Sequence, residues 1–306
     1  MTFRQWMICL PAAAVSLLAA PLHAQPAQAG AGSVDVTLRF SAQVNGQPFE
    51  CGKSYANIGS TKATITPSDF RLYVSEVALL NTRNEAIPVK LTQDGVWQLD
   101  DISFLDFENG TGPCRNGTSG MNATIRGAVP AGEYRGLAFT VGIPFSRNHG
   151  DASTAGAPLN STAMFWSWQG GYRFLKFDAS TVANPAVAAP PGDSPDSVPA
   201  TGFSFHLGST QCASASATQA PASCKAPNRL AVKFDEFDPV KSMVLVDIGA
   251  VLANANVTVN ARRTSPGCMS FEKDADCVPV MNALGLPYDG RPATGVQKLF
   301  SVQSAP

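Results

Sequence analysis

The chain has 306 residues, with 22 Lys and Arg against 23 Asp and Glu and a formal net charge of −1. That balance gives no electrostatic footprint for nucleic acid or an anionic membrane surface as partner. With 44% hydrophobic and 15% charged residues, it can bury a substantial core, as one large domain or two smaller ones.

The N-terminal stretch MTFRQWMICLPAAAVSLLAAPLHAQPAQA has Arg4 in a short leading region and an apolar run from about Trp6 to Ala20. It closes on Pro21-Leu22-His23-Ala24, a small-residue ending. This is the layout of a secretory signal peptide over residues 1–24, and its apolar core is too short to span a bilayer. Cys9 lies inside the apolar run and not at its end, which argues against a lipid anchor. No later run is long enough to cross a membrane, so the mature chain is expected to be exported and soluble.

From residue 33 the pattern is β. Val34-Asp35-Val36-Thr37-Leu38-Arg39-Phe40 alternates apolar and polar, the period of a half-buried strand. Comparable runs recur at Phe70–Leu80, Ile87–Leu91, Ala123–Val129, Arg135–Val141, Tyr172–Phe177, Phe203–Leu207, Arg229–Phe234, Met243–Ile248 and Val257–Val259. Asn45-Gly46, Asp94-Gly95, Asn109-Gly110 and Gly170-Gly171 punctuate them as turns. Asp247–Ala255 alone suggests a short helix. The expected architecture is an antiparallel β-sandwich with long loops, a single β domain over 33–304. Residues 179–200, rich in Pro, Ala and Ser, read as a flexible surface insert between two strands of one sheet.

Six cysteines remain after the leader: Cys51, Cys114, Cys212, Cys224, Cys268 and Cys277. An even number in an exported chain favours disulfides, and the spacings do not resemble a thiolate metal site. Sequence cannot choose among the pairings. Local proximity suggests Cys212–Cys224 and Cys268–Cys277, leaving Cys51–Cys114.

Two histidines remain in the mature chain: His149, in the polar stretch IPFSRNHGD, and His206, on the alternating strand FSFHLGST. Imidazole is a frequent metal ligand, yet the plain reading is one exposed loop histidine and one strand histidine satisfied by a backbone carbonyl. Between them lies MFWSWQGGY. On a strand, Met164, Trp166 and Trp168 share one face, either as core or, for Met164, as a soft ligand for Cu(I). Catalytic signatures are missing: no nucleophile elbow, zincin helix, phosphate loop, dinucleotide fingerprint or haem-attachment motif. A cluster of Asp with backbone carbonyls could hold structural calcium, but no EF-hand-like loop is present. The chain is not expected to be an enzyme.

Taken together, FECGKSYANIG (49–59), DFRLYVSEVAL (69–79), LDFENGTGPC (105–114), VGIPFSRNHGD (141–151), PLNSTAMFWSWQGGYRFLKFD (158–178) and FHLGSTQC (205–212) resemble the MbnP family. These are exported copper-binding proteins of methanobactin-type operons, also called metallo-mystery pair four-cysteine proteins. The resemblance implies a periplasmic protein that binds copper, as Cu(I), for storage, sequestration or delivery. It implies a partner, MbnH, a di-haem protein of the MauG and bacterial cytochrome c peroxidase type, which oxidises a tryptophan to kynurenine. Carried onto this sequence, His149 and His206 become the imidazole ligands and Trp168 or Trp166 the modified residue, with Met164 a lesser ligand candidate. Trp97 lies outside the motif as a structural strand residue. The rival readings are a structural or adhesin-like exported β-sandwich whose His and Trp are ordinary packing, and a copper-dependent redox enzyme.

Overall fold

The computed structural model describes residues 32–305 except 168, 188–196 and 217–218. The expected signal peptide, Trp168 and the middle of the insert lie outside the described residues. Among those described, no helix is long and apolar enough to cross a membrane.

In chain order the main elements are β1 (Ser33–Val44), β2 (Ala63–Asn81), β3 (Ile102–Asp106), β4 (Thr124–Pro130), β5 (Tyr134–Val141), the single-turn helix α1 (Phe145–Asn148), β6 (Phe165–Ser167), β7 (Gly171–Val182) and β8 (Gly202–Gly208). The hairpin β9 (Thr210–Ala213) and β10 (Ser223–Ala226) follows, then β11 (Leu230–Phe234), β12 (Ser242–Asp247), α2 (Ile248–Leu252), α3 (Cys277–Ala283) and β13 (Phe300–Ser304).

Two large sheets form. The smaller runs β13-β12-β1-β4, and the larger is built on the 19-residue β2, which pairs with β7, β5 and β3. Alternation turns Leu38, Phe40, Ala42 and Val44 of β1 inward, where they are buried. Phe139 of β5 joins the layers, its ring edge-on to Phe40 of β1 at 5.8 Å and to Phe300 of β13 at 5.1 Å. Such edge pairs add about 0.5–1.5 kcal/mol each beyond the burial of their area. The sandwich is mainly antiparallel, as expected, but β1 and β12 pair in parallel.

All three disulfides suggested by proximity are formed: Cys51–Cys114, Cys212–Cys224 and Cys268–Cys277. The second sits in register across β9 and β10 and ties the base of that hairpin.

Three local expectations are corrected. The insert is not loop from end to end: β7 continues through Ala179–Val182, and Ser197–Pro199 pairs with Val259–Ala261. Trp97 lies in a bend just before the strand Gln98–Leu99, held because its backbone N–H donates to Asp94, and its ring stacks on Phe104 at 6.3 Å. MFWSWQGGY is not one continuous strand. Thr162–Met164 makes a 3-10 turn, Phe165–Ser167 alone among the described residues of the stretch before Gly171 pairs with β7, and a register shift falls between Phe165 and Ser167.

Candidate metal centre

The registers of β8, β7, β2 and β3 stack their residues into rows across the sheet. Phe205, Phe177 and Phe70 align in one row and face the core. The neighbouring row, His206, Lys176, Arg71 and Asp106, faces the other way, and so do Ser204, Asp178 and Asp69. Alternation predicts that such residues meet solvent. They do not: Asp69, Arg71, Asp106 and His206 are all buried. Segments distant in sequence cover them. Glu108, beside the Cys51–Cys114 bridge, lies 3.8 Å from Arg71. Cys268 and Ser270 hydrogen-bond the backbone of His206.

Inside this cover the charges alternate. Arg71 holds Asp69 with two nitrogens, Lys176 bridges Asp69 and Asp178, and Asp178 Oδ1 meets His206 Nε2 at 2.9 Å. Burial by itself would raise the pKa of Asp178. The His206 hydrogen bond and the Lys176 ammonium outweigh it and hold the carboxyl well below the usual carboxylate range. At the far end Asp106 goes the other way, pushed up to about 7 by burial and by the Glu108 charge against the pull of Arg71.

A carboxylate only accepts, so the proton of His206 sits on Nε2 and its lone pair on Nδ1. A carboxylate fixing one imidazole nitrogen while the other stays available is the arrangement that orients metal-binding histidines. Here Nδ1 is met by Arg173 Nε at 3.3 Å.

His149 is not the exposed loop residue that its polar neighbours suggest; it is 5% exposed, at the C-terminal end of α1. The Phe145 ring packs edge-on against it at 5.0 Å. Asn148 anchors the turn. Its Oδ1 accepts the backbone N–H of Tyr172 at 2.9 Å, which fixes the amide orientation and leaves Nδ2 facing His149 Nε2 at 3.2 Å. An amide N–H donates, so Nε2 carries the lone pair of His149. Cys224 Sγ lies 3.6 Å from the same nitrogen. Gly171 permits the approach: its φ is +71°, and a Cβ there would lie 2.6 Å from Asn148 Cγ.

Trp166 is half-buried on a bed of glycines. A Cβ on Gly208 would meet its Cη2 at 2.9 Å, and one on Gly170 its Cε3 at 3.2 Å. Phe271 covers another face with centroids 5.6 Å apart. The Arg173 guanidinium lies 5.5 Å from the ring centroid, a cation–π contact. Met164 is fully buried in the hydrophobic core. Its position follows from the 3-10 turn and not from strand alternation.

The structure therefore gathers His206 and Trp166 around Arg173, and ties His149 through Asn148 to the adjoining residue of β7, Tyr172. Arg173, Asp178, Asn148 and Phe271 were not singled out in the sequence. Arg173 and Asp178 sit in the strand YRFLKFD five residues apart, where simple alternation would set them on opposite faces; a register shift between Arg173 and Leu175 lets both reach His206. Among the described residues, two groups of three metal-type side chains converge: His149 with Cys212 and Cys224, and Glu108 with Cys51 and Cys114. Both contain a disulfide, and neither is a set of carboxylates suited to calcium.

A family model described as MbnP matches residues 33–270. A solved structure, MbnP from Methylosinus trichosporium, is 31% identical, with a TM-score of 0.74 over 90% of this chain and 100% of that one. No curated protein matches.

Proposed function

Because the chain belongs to the MbnP family, we propose that it is an exported copper-binding protein of the periplasm. In this reading a tryptophan of MFWSWQGGY is oxidised to kynurenine by a di-haem partner of the MbnH type. The observation that supports it most is the pair of buried imidazoles, each with a fixed tautomer and a single lone pair held by an N–H donor. Neutral imidazole suits copper, and burial favours the low coordination numbers of Cu(I). His149 and His206 are the residues that would hold the metal. Met164 is a weaker candidate, its thioether already spent on core packing.

Indole nitrogen has no lone pair to give. Cleaving its C2–C3 bond with two oxygen atoms makes N-formylkynurenine, and hydrolysis then releases formate. The product keeps a ketone and an aromatic amine that can donate to a metal. The oxygen and oxidising equivalents come from peroxide or dioxygen, handled by the di-haem partner. On this view the chain is the substrate of its own maturation and then a carrier, and its lack of catalytic motifs follows.

The test is peptide mass spectrometry across residues 158–173 on protein produced with and without the di-haem partner, alongside Cu(I) titration of wild type, His149→Ala and His206→Ala. The expected result is a gain of one oxygen and a loss of one carbon on Trp166 or Trp168 only with the partner, and weakened copper binding in both variants. Unmodified tryptophans beside an active partner, or binding indifferent to both histidines, would refute the proposal and return the chain to a structural β-sandwich.

A further inference from the structure

One side chain touches both the histidine and the tryptophan of the proposed site. Arg173 lies on β7 next to Tyr172, on the face away from the core. Its Nε donates to His206 Nδ1 at 3.3 Å, and its Nη1 donates to the carbonyls of Ala163 at 3.0 Å and Phe165 at 2.8 Å. Its Cζ sits 5.5 Å from the Trp166 ring. The guanidinium thus spans from the imidazole to the short segment that carries the indole. A planar fork of donors is suited to such bridging, since its N–H groups point in fixed directions at several acceptors.

His206 has one lone pair to offer, because Asp178 fixes its proton on Nε2. With the indole intact, that lone pair is in use. No metal can share Nδ1 with an N–H donor, so any ion must first displace Arg173.

We propose that Arg173 is a latch that couples the chemical state of Trp166 to the availability of His206 Nδ1. This rests on the copper reading above, and it makes Arg173 a positioning residue, not a ligand. While the indole is whole, its π face and the two carbonyls hold the guanidinium on Nδ1. Opening the ring does two things. The flat bicyclic π surface of nine ring atoms is replaced by a smaller aniline ring, which weakens the cation–π attraction. A ketone also appears on the side chain of residue 166, a new acceptor that competes for the Arg173 donors. Both changes draw the guanidinium away from His206 and leave Nδ1 free. The oxidation then does more than supply a third donor: it uncovers one already in place.

Trp166 is the indole on which Arg173 rests. Oxidation of Trp166 is therefore the event that opens the site.

The experiment compares wild type, Arg173→Leu, Arg173→Lys and Trp166→Phe, each produced with and without the di-haem partner. Two readouts are taken: Cu(I) affinity by competition with a chromophoric chelator, and the 15N shift of His206 Nδ1 without metal. In the unmodified state, Arg173→Leu should bind Cu(I) about tenfold to a hundredfold more tightly than wild type, the worth of one charged hydrogen bond. Its Nδ1 shift should move toward that of a free imidazole nitrogen, and modified wild type should show the same movement. Trp166→Phe should keep the bonded shift and the weak affinity even with the partner present. Arg173→Lys retains the cation without the fork; if Arg173→Leu does not fold, the same gain in affinity and shift in this variant carries the test. Equal affinities and unchanged Nδ1 shifts in unmodified wild type and both Arg173 variants, beside tight binding by modified wild type, would overturn the latch and leave the copper reading standing. Failure of every sample to bind, modified wild type included, would overturn the copper reading itself. A changed Nδ1 shift in modified wild type would in that case still support the link between Trp166 and Arg173.

Discussion

Replacing Asp178 with Asn keeps the shape of the side chain and removes its charge. The carboxylate accepts from His206 Nε2 at 2.9 Å and pairs with Lys176 at 3.1 Å. Its side chain is 23% exposed, so the cost should match a charged hydrogen bond, about 1.5–3 kcal/mol, and fall short of the 3–5 kcal/mol of a fully buried broken pair. The pH dependence has a definite sign. The folded-state pKa of Asp178 lies below the ordinary value of 3.8, so its contribution is present in full above that pH. It is lost as pH falls from there through the folded value. Denaturant unfolding of wild type and Asp178→Asn should show a gap of about 2 kcal/mol near neutrality that closes in acid. The same change releases the tautomer of His206, because Asn can donate to Nε2 and send the proton to Nδ1. Copper affinity of the matured protein should then fall roughly 10–100-fold, as for other partners that orient a ligating histidine. Equal stability at neutral pH, or a gap that widens on acidification, would refute the assignment of Asp178 as the group that fixes His206.

Gly208→Ala places a Cβ 2.9 Å from both Trp166 Cη2 and the backbone oxygen of Tyr172. We expect a loss of about 1–3 kcal/mol from overpacking and a shifted Trp fluorescence maximum; an unchanged melting temperature and spectrum would show that the indole does not rest there. Cys51 and Cys114 are 63 residues apart, and Cys212 and Cys224 are 12 apart. Chain entropy gives about 4 kcal/mol for the first bridge and about 3 for the second, so paired Cys→Ala variants should unfold at lower denaturant in that order, and the reverse order would count against loop length as the cause.

The strands were legible because alternation is local. VDVTLRF and the LKF of YRFLKFD name their own inward residues, and Leu38, Phe40, Leu175 and Phe177 are buried as the pattern requires. The burial of the opposite face is not legible in the same way. Asp69, Arg71, Lys176, Asp178 and His206 carry the signature of a solvated face, and what covers it comes from segments such as Glu108 and Ser270, remote in the chain. Likewise, His149 looked exposed because its anchor, the Asn148 bond to Tyr172, spans 24 residues. In MFWSWQGGY the alternation was overridden by a 3-10 turn and a register shift, which put Met164 in the core and swing Trp166 over Gly208. The disulfides were legible by proximity, since two of the three close loops of 12 residues or fewer.

That each imidazole lone pair has an N–H partner bears on the order of events. A buried acceptor left without a partner costs about 1–3 kcal/mol, so two open ligand sites would weigh on a fold of ordinary stability. Asn148 and Arg173 remove that cost, and the chain can fold with its histidines satisfied before any metal arrives. A zinc finger is the opposite case, in which ligand groups find no native partner until the ion supplies one. The caps also set what loading can contribute: a metal gains only the excess of its bonds over the hydrogen bonds it displaces. The two caps differ in kind. Asn148 is neutral and pinned by a backbone N–H, whereas Arg173 is charged and rests on an aromatic ring that chemistry can alter. Of the two imidazoles, it is therefore His206 whose availability a change in the neighbouring tryptophan can control.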